Sequence, residues 1–152
     1  MNRNTNEMEI IFDSCSENEG FARVAVAAFL TQLNPTIEEV ADVKTAVSEA
    51  VTNAIIHGYE NEVHKISILC CTEGKTLEIA VKDNGRGIED IEKAMQPMFT
   101  TKPELERSGM GFAFMEAFMD GLEVESAPGQ GTTVKMKKII GKGRAGWTIQ
   151  PN

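Results

Sequence analysis

The sequence predicts an α+β protein, a two-layer sandwich with helices on one face of a mixed, largely antiparallel sheet. Three observations point there. Strand-like and helix-like stretches are mixed without the regular strand–helix–strand rhythm of a parallel sheet. Two amphipathic helical patterns follow one another in the N-terminal half. Beyond them, two alternating runs, Lys65–Cys71 and Thr76–Lys82, flank Thr72-Glu73-Gly74-Lys75, which is a hairpin signal.

Each element has its own justification. Met8, Ile10 and Phe12 alternate with Glu9, Ile11 and Asp13, a weak strand pattern. Ser16-Glu17-Asn18-Glu19 has the form of a capping box and opens a helix to about Gln32, with Phe21, Val24, Ala25, Ala28 and Phe29 at helical spacing. Asn34-Pro35 ends it. Thr36-x-x-Glu39 opens a second helix by the same device, burying Val40, Val43, Val47, Ala50, Val51, Ala54 and Ile55 until Gly58 stops it. After the hairpin come a short helical piece near Glu89–Met95, a Pro-containing loop from Gln96 to Ser108 and a buried helix, Phe112–Met119. Two last strands, about Leu122–Ser126 and Thr132–Lys138, flank Pro128-Gly129-Gln130-Gly131.

Composition narrows the function. The chain has 152 residues with 15 basic and 23 acidic side chains, net charge −8, which disfavours a general nucleic-acid or anionic-membrane binder. One domain is expected over residues 1–140, with 141–152 as a disordered tail. Cys15, Cys70 and Cys71 form neither a CxxC pair nor a Cys/His zinc set, so they read as reduced thiols. MNRNTNEMEI lacks the apolar core of a secretory signal, and Val24–Leu30 is too short to span a bilayer. A cytoplasmic protein is expected.

Three glycine–polar clusters carry the chemistry. Asp83-Asn84-Gly85-Arg86-Gly87 follows a strand. There a carboxylate can accept from the exocyclic amine of adenine, and glycines let backbone approach a flat ring. Guanine would turn a carbonyl toward the same carboxylate. A plain Asp-Asn-Gly turn is the bland alternative. Ser108-Gly109-Met110-Gly111-Phe112 leads into a helix, and free backbone N–H groups at such a start suit phosphate. Lys102 and Arg107 lie in the loop before it and offer the positive charge a polyphosphate needs, or else are solvated surface charges. Arg107, just before the glycines, is the best-placed cation to sense a γ-phosphate. On the second helix, Glu49 and Asn53 sit one turn apart with His57 a turn further. Glu49 suits a general base and the Asn53 carbonyl suits Mg²⁺; an exposed polar stripe is the alternative. Gly74-Lys75-Thr76 looks like the end of a P-loop, but Leu69 stands where that motif needs glycine.

The order of these clusters resembles the ATP-binding fold shared by gyrase, Hsp90, histidine kinases and MutL. Within it, the chain is most similar to the anti-sigma-F factors of spore-forming bacteria, a family of serine protein kinases. The resemblance is carried by residues 16–24, by Val47-Ser48-Glu49-Ala50-Val51-Thr52-Asn53-Ala54-Ile55-Ile56-His57-Gly58-Tyr59, and by residues 96–112, and it spans about Met8 to Lys138. It implies the histidine-kinase-like ATPase fold, Mg-ATP as cofactor, and a homodimer that binds a sporulation sigma factor. It also implies phosphorylation of a serine on an anti-anti-sigma protein. By residue, it implies Glu49 as base, Asn53 as the Mg²⁺ ligand, and Asp83, Gly85 and Gly87 as the adenine site. His57 and Gly58 adjoin that site. Thr100, Thr101 and Lys102 through Arg107 would form a lid over the phosphates, and Ser108, Gly109, Met110, Gly111 and Phe112 the phosphate-side turn. Thr133 matches the family's last nucleotide-site threonine, and Arg23 would belong to a partner surface. The alternatives are a non-catalytic ATP-dependent interaction module or a related anti-sigma serine kinase of a stress pathway.

Overall fold

A computed structural model describes residues 4–95 and 111–141. Five strands form one sheet in the order β1-β2-β3-β5-β4: β1 (Thr5–Asp13), β2 (Lys65–Glu73), β3 (Thr76–Asp83), β4 (Gly121–Ser126) and β5 (Thr132–Ile139). All four pairings among the described residues are antiparallel, so this sheet is not mixed. The β2–β3 hairpin forms as expected, and Gly74 takes the left-handed conformation (φ +60°) that its tight turn requires.

Side chains alternate between faces, which fixes what each strand can do. Ile66, Ile68, Cys70, Leu77, Ile79, Val81, Val134 and Met136 point to one face and are buried. The helices α1 (Glu17–Leu30), α2 (Ile37–Asn53) and α4 (Phe112–Phe118) cover that face; α3 (Ile91–Ala94) is a single turn. Ala22, Val26 and Leu30 of α1 and Val43, Ala46, Val47, Ala50 and Val51 of α2 recur at helical spacing and complete the core. The other sheet face carries charges such as Glu7, Glu78, Lys135 and Lys137. Its Lys135–Glu125 pair at 3.0 Å is solvent-exposed and adds little stability. The adjacent Cys70 and Cys71 point to opposite faces, and all three cysteines are free. Burial, with Cys71 beside it, pushes the Cys70 thiol up to about 12, so it stays protonated.

The two helix starts differ. At Thr36 both halves of the capping box form: the hydroxyl accepts from the Glu39 amide at 3.0 Å and the Glu39 carboxylate from the Thr36 amide at 2.9 Å. The Glu39 carboxylate also accepts from the Gly141 amide at 2.9 Å and so ties the chain after β5 to the start of α2. At Ser16 the expected box is absent. Ser16 is already helical (φ −62°, ψ −27°), and its hydroxyl caps nothing. Asn18 takes over, its side-chain amide donating to the Asp13 carbonyl at 2.9 Å while its backbone amide donates to Cys15. Ser14, buried and exchanging hydrogen bonds with Glu62 and His64, fixes how the chain leaves β1. α1 then continues as a 3-10 turn, Thr31–Leu33, and ends at left-handed Asn34.

Candidate nucleotide site

α2 does not end where its α-geometry ends. After Asn53 the chain takes one π-helical turn, Ala54–Gly58, before Tyr59. That turn delivers Asn53, His57 and Gly58 to one end of the sheet, where β3 stops at Asp83. Asp83 is only 5% exposed, and its Oδ1 accepts from the Gly85 amide at 2.8 Å. Burial raises the Asp83 carboxyl from its ordinary value, while the amides of Gly85 and Thr132 pull it down. A carboxylate held at this depth, with hydrogen-bonding capacity left over, needs a donor from a ligand or from water.

The loop after Asp83 is pinned at each residue. The Asn84 amide donates to the Tyr59 hydroxyl at 2.7 Å, and that hydroxyl donates to the Lys65 carbonyl. The Arg86 amide donates to the Gly58 carbonyl at 2.9 Å, and its Nε donates to the His57 carbonyl at 3.1 Å. At Gly85 the approach leaves no room for a side chain: a Cβ there would lie 2.1 Å from the Gly58 carbonyl oxygen. The Asp-x-Gly-x-Gly segment is thus braced against the π-turn.

Between these parts lies a cleft of about 330 Å³, its open mouth included. Val81 and Val134 of the sheet form one wall, Ala50 and Phe112 of the helices another, and Ile88 a third. Asn53, His57, Gly58, Asp83, Gly87 and Thr132 supply the rest of its lining. A flat apolar ring with one polar edge fits such a lining: apolar walls for the ring, a buried carboxylate for its amine.

Glu49 lies one helical turn before Asn53. A Cβ on Gly111 would come 2.2 Å from the Glu49 carboxylate, so only glycine, here also at φ +66°, lets the start of α4 approach it. Burial pushes the Glu49 carboxyl up, and the neighbouring Glu19 carboxylate adds to the rise. Asn53 is 7% exposed. Among the described residues, no three His, Cys, Asp or Glu gather into a cation cage. The donor on offer is a neutral amide, which suits Mg²⁺ held largely by phosphates and water. Arg23 is half exposed and lies 3.7 Å from Glu19.

One expected residue is placed elsewhere. Thr133 pairs with Lys82 and falls on the charged face of the sheet, away from the cleft. Thr132 pairs with Asp83, lines the cleft and shares a 2.9 Å hydrogen bond with Ser126. Neighbours on a strand point to opposite faces, so the two threonines are not interchangeable. Thr132→Val should weaken nucleotide binding about three- to tenfold, the worth of about one hydrogen bond, and Thr133→Val should leave it unchanged in a calorimetric titration. Ile88, Val81, Val134 and Tyr59 also belong to the site and carried no sequence signal beyond ordinary core residues. Thr100, Thr101, Lys102, Arg107, Ser108, Gly109 and Met110, named from the sequence for the lid and the phosphate side, lie outside the described residues.

Comparison with known proteins agrees with this geometry. A family model described as a histidine kinase-like ATPase domain matches residues 15–138. The chain is 64% identical over 137 residues to an anti-sigma F factor of Thermoanaerobacter sp. (strain X514), covering 90% of this chain and 96% of that one. It is 57% identical over 140 residues to the anti-sigma F factor of Oceanobacillus iheyensis, covering 91% and 96%. Among solved structures, the RsbU and RsbW domains of Rv1364c from Mycobacterium tuberculosis superpose with a TM-score of 0.65 at 22% identity, over 89% of this chain and 32% of that one. The catalytic domain of histidine kinase ThkA superposes with a TM-score of 0.53 at 18% identity, over 88% and 96%. At these identities the two structures speak for the fold alone.

Proposed function

The chain belongs to the histidine kinase-like ATPase family and, within it, to the anti-sigma F factors, and from that premise we propose that it is an ATP-dependent serine kinase acting in partner switching. It would bind a sporulation sigma factor as a homodimer in the cytoplasm and phosphorylate a serine of an anti-anti-sigma protein. No helix among the described residues is long and apolar enough to cross a membrane. The observation that carries the enzymatic reading is the convergence of three groups. Asp83 stands at the polar end of an apolar cleft, Asn53 lines that cleft, and Glu49 sits one turn away.

In this reading Asp83 accepts from the adenine amine, and the Gly58–Gly85 contact keeps the carboxylate aimed into the cleft. Asn53 would hold the Mg²⁺ that accompanies the phosphates, and the ion when bound offsets their charge. Glu49 takes the proton of the substrate serine as its oxygen bonds to the γ-phosphorus and ADP leaves with the broken phosphoanhydride bond. Its raised proton affinity makes it a better acceptor than an ordinary surface carboxylate. Lys102 and Arg107 are proposed to face the phosphates, and Arg23 to meet protein partners.

The direct test incubates the protein with labelled ATP, Mg²⁺ and an anti-anti-sigma protein. Phosphoserine on the partner is the expected product. Nucleotide binding without transfer would reduce the protein to an ATP-dependent interaction module.

A further inference from the structure

We infer that Glu19 is a positioning residue for Glu49, tethered by Ser48 and counterbalanced by Arg23. The inference rests on the reading of Glu49 as the base. Glu19 lies in the first turn of α1, which packs along α2. Ser48 immediately precedes Glu49, and its hydroxyl donates to Glu19 Oε2. The same oxygen lies 3.7 Å from Arg23 Nη1, one helical turn along α1. The Arg23 Nε is buried without an acceptor, so the guanidinium meets Glu19 through one edge and not as a bidentate fork. One carboxylate of α1 is therefore pinned beside the α2 turn that carries the base.

Glu49 is confined from the opposite side by the Gly111 backbone. Among the described residues, the charges facing it are Glu19 and, behind Glu19, Arg23. Its own helix offers neutral Thr45, Ala46, Thr52 and Asn53 at neighbouring positions, and α4 offers Gly111 and Phe112. Two like charges so arranged favour a proton on one of them, which strengthens the acceptor that takes the serine proton. Arg23 works against this. Its charge favours the ionised pair, so the balance between Glu19 and Arg23 sets the pH below which Glu49 is already protonated.

The two neutralising variants should therefore act in opposite directions. Glu19→Gln keeps an oxygen for Ser48 and removes the charge; Arg23→Met keeps the aliphatic bulk and removes the counter-charge. The acid limb of phosphotransfer should move to lower pH in Glu19→Gln and to higher pH in Arg23→Met, and ATP affinity should stay the same. Loss of packing alone would lower the rate at every pH without moving the limb. The same quantity is measurable without catalysis, by following the ¹³C carboxyl signal of Glu49 through a pH titration of the nucleotide-free protein, with Glu49→Gln identifying the signal. Titration midpoints that stay put, or that move the same way in both variants, would overturn the inference. If the wild-type protein transfers no phosphate, the kinase reading fails on its own, and the carboxyl titration still decides the role of Glu19.

Discussion

Glu49→Gln is expected to slow phosphotransfer about 10²–10⁴-fold while leaving ATP affinity close to that of the wild type. The substitution preserves volume against Gly111, where the carboxylate packs, and removes only the ability to take a proton. Because burial and Glu19 raise the proton affinity of Glu49 in the folded protein, the ionised base costs stability there. That cost is absent at low pH, where the group is protonated, and appears as pH rises through its folded value. The variant should therefore melt no lower than the wild type at neutral pH. A wild-type transfer rate in Glu49→Gln, measured in a single-turnover experiment, would remove the base assignment.

Asp83 shows the same trade between function and stability on the binding side. The wild-type protein should bind ATP and ADP well and GTP poorly, because a buried carboxylate set against the guanine carbonyl leaves both acceptors unsatisfied at about 1–3 kcal/mol each. Asp83→Asn keeps an oxygen for the Gly85 amide but ends the adenine-selective acceptor, and adenine-nucleotide affinity should fall at least about tenfold. The same variant should raise the melting temperature of the nucleotide-free protein at neutral pH. Asp83 is held above its ordinary value by burial, so its ionised form is the destabilised one, and neutralising it relieves that penalty as pH rises. Tighter folding with weaker ATP binding would mark Asp83 as a residue kept for its ligand. Equal affinities for ATP and GTP in the wild type would sink the adenine assignment.

Local signals were legible in the sequence wherever the chain satisfies itself. The Thr36 box formed because donor and acceptor lie three residues apart on one helix, and nothing distant competes. The Ser16 box has the same residues and failed. Ser14, locked to Glu62 and His64, sets the approach to α1, and Asn18 bonds back to Asp13 instead. Asp83, Gly85 and Gly87 were readable as a pattern that ends a strand, and Glu49 with Asn53 as a stripe. Thr132 was missed in favour of Thr133 because a motif gives an order along the chain, whereas the face of a strand depends on pairing register with β3. The Tyr59 hydroxyl under Asn84 had no local signal at all, since its two partners come from β2 and from the loop after β3.

The π-turn at Ala54–Gly58 has a consequence for which changes of length the chain tolerates. A π-turn amounts to one residue more than the α-helix needs, so deleting a single residue there would restore a regular helix at no cost in hydrogen bonds. Everything beyond would then rotate by about 100° around the helix axis, the angle of one α-helical step. Gly58 would swing off the Gly85 loop, Tyr59 would lose Asn84, and the brace behind Asp83 would open while the core of α2 stayed packed. At this point substitution is the milder lesion and deletion the severe one. The extra residue works as a phase setting that couples the helix to the nucleotide loop.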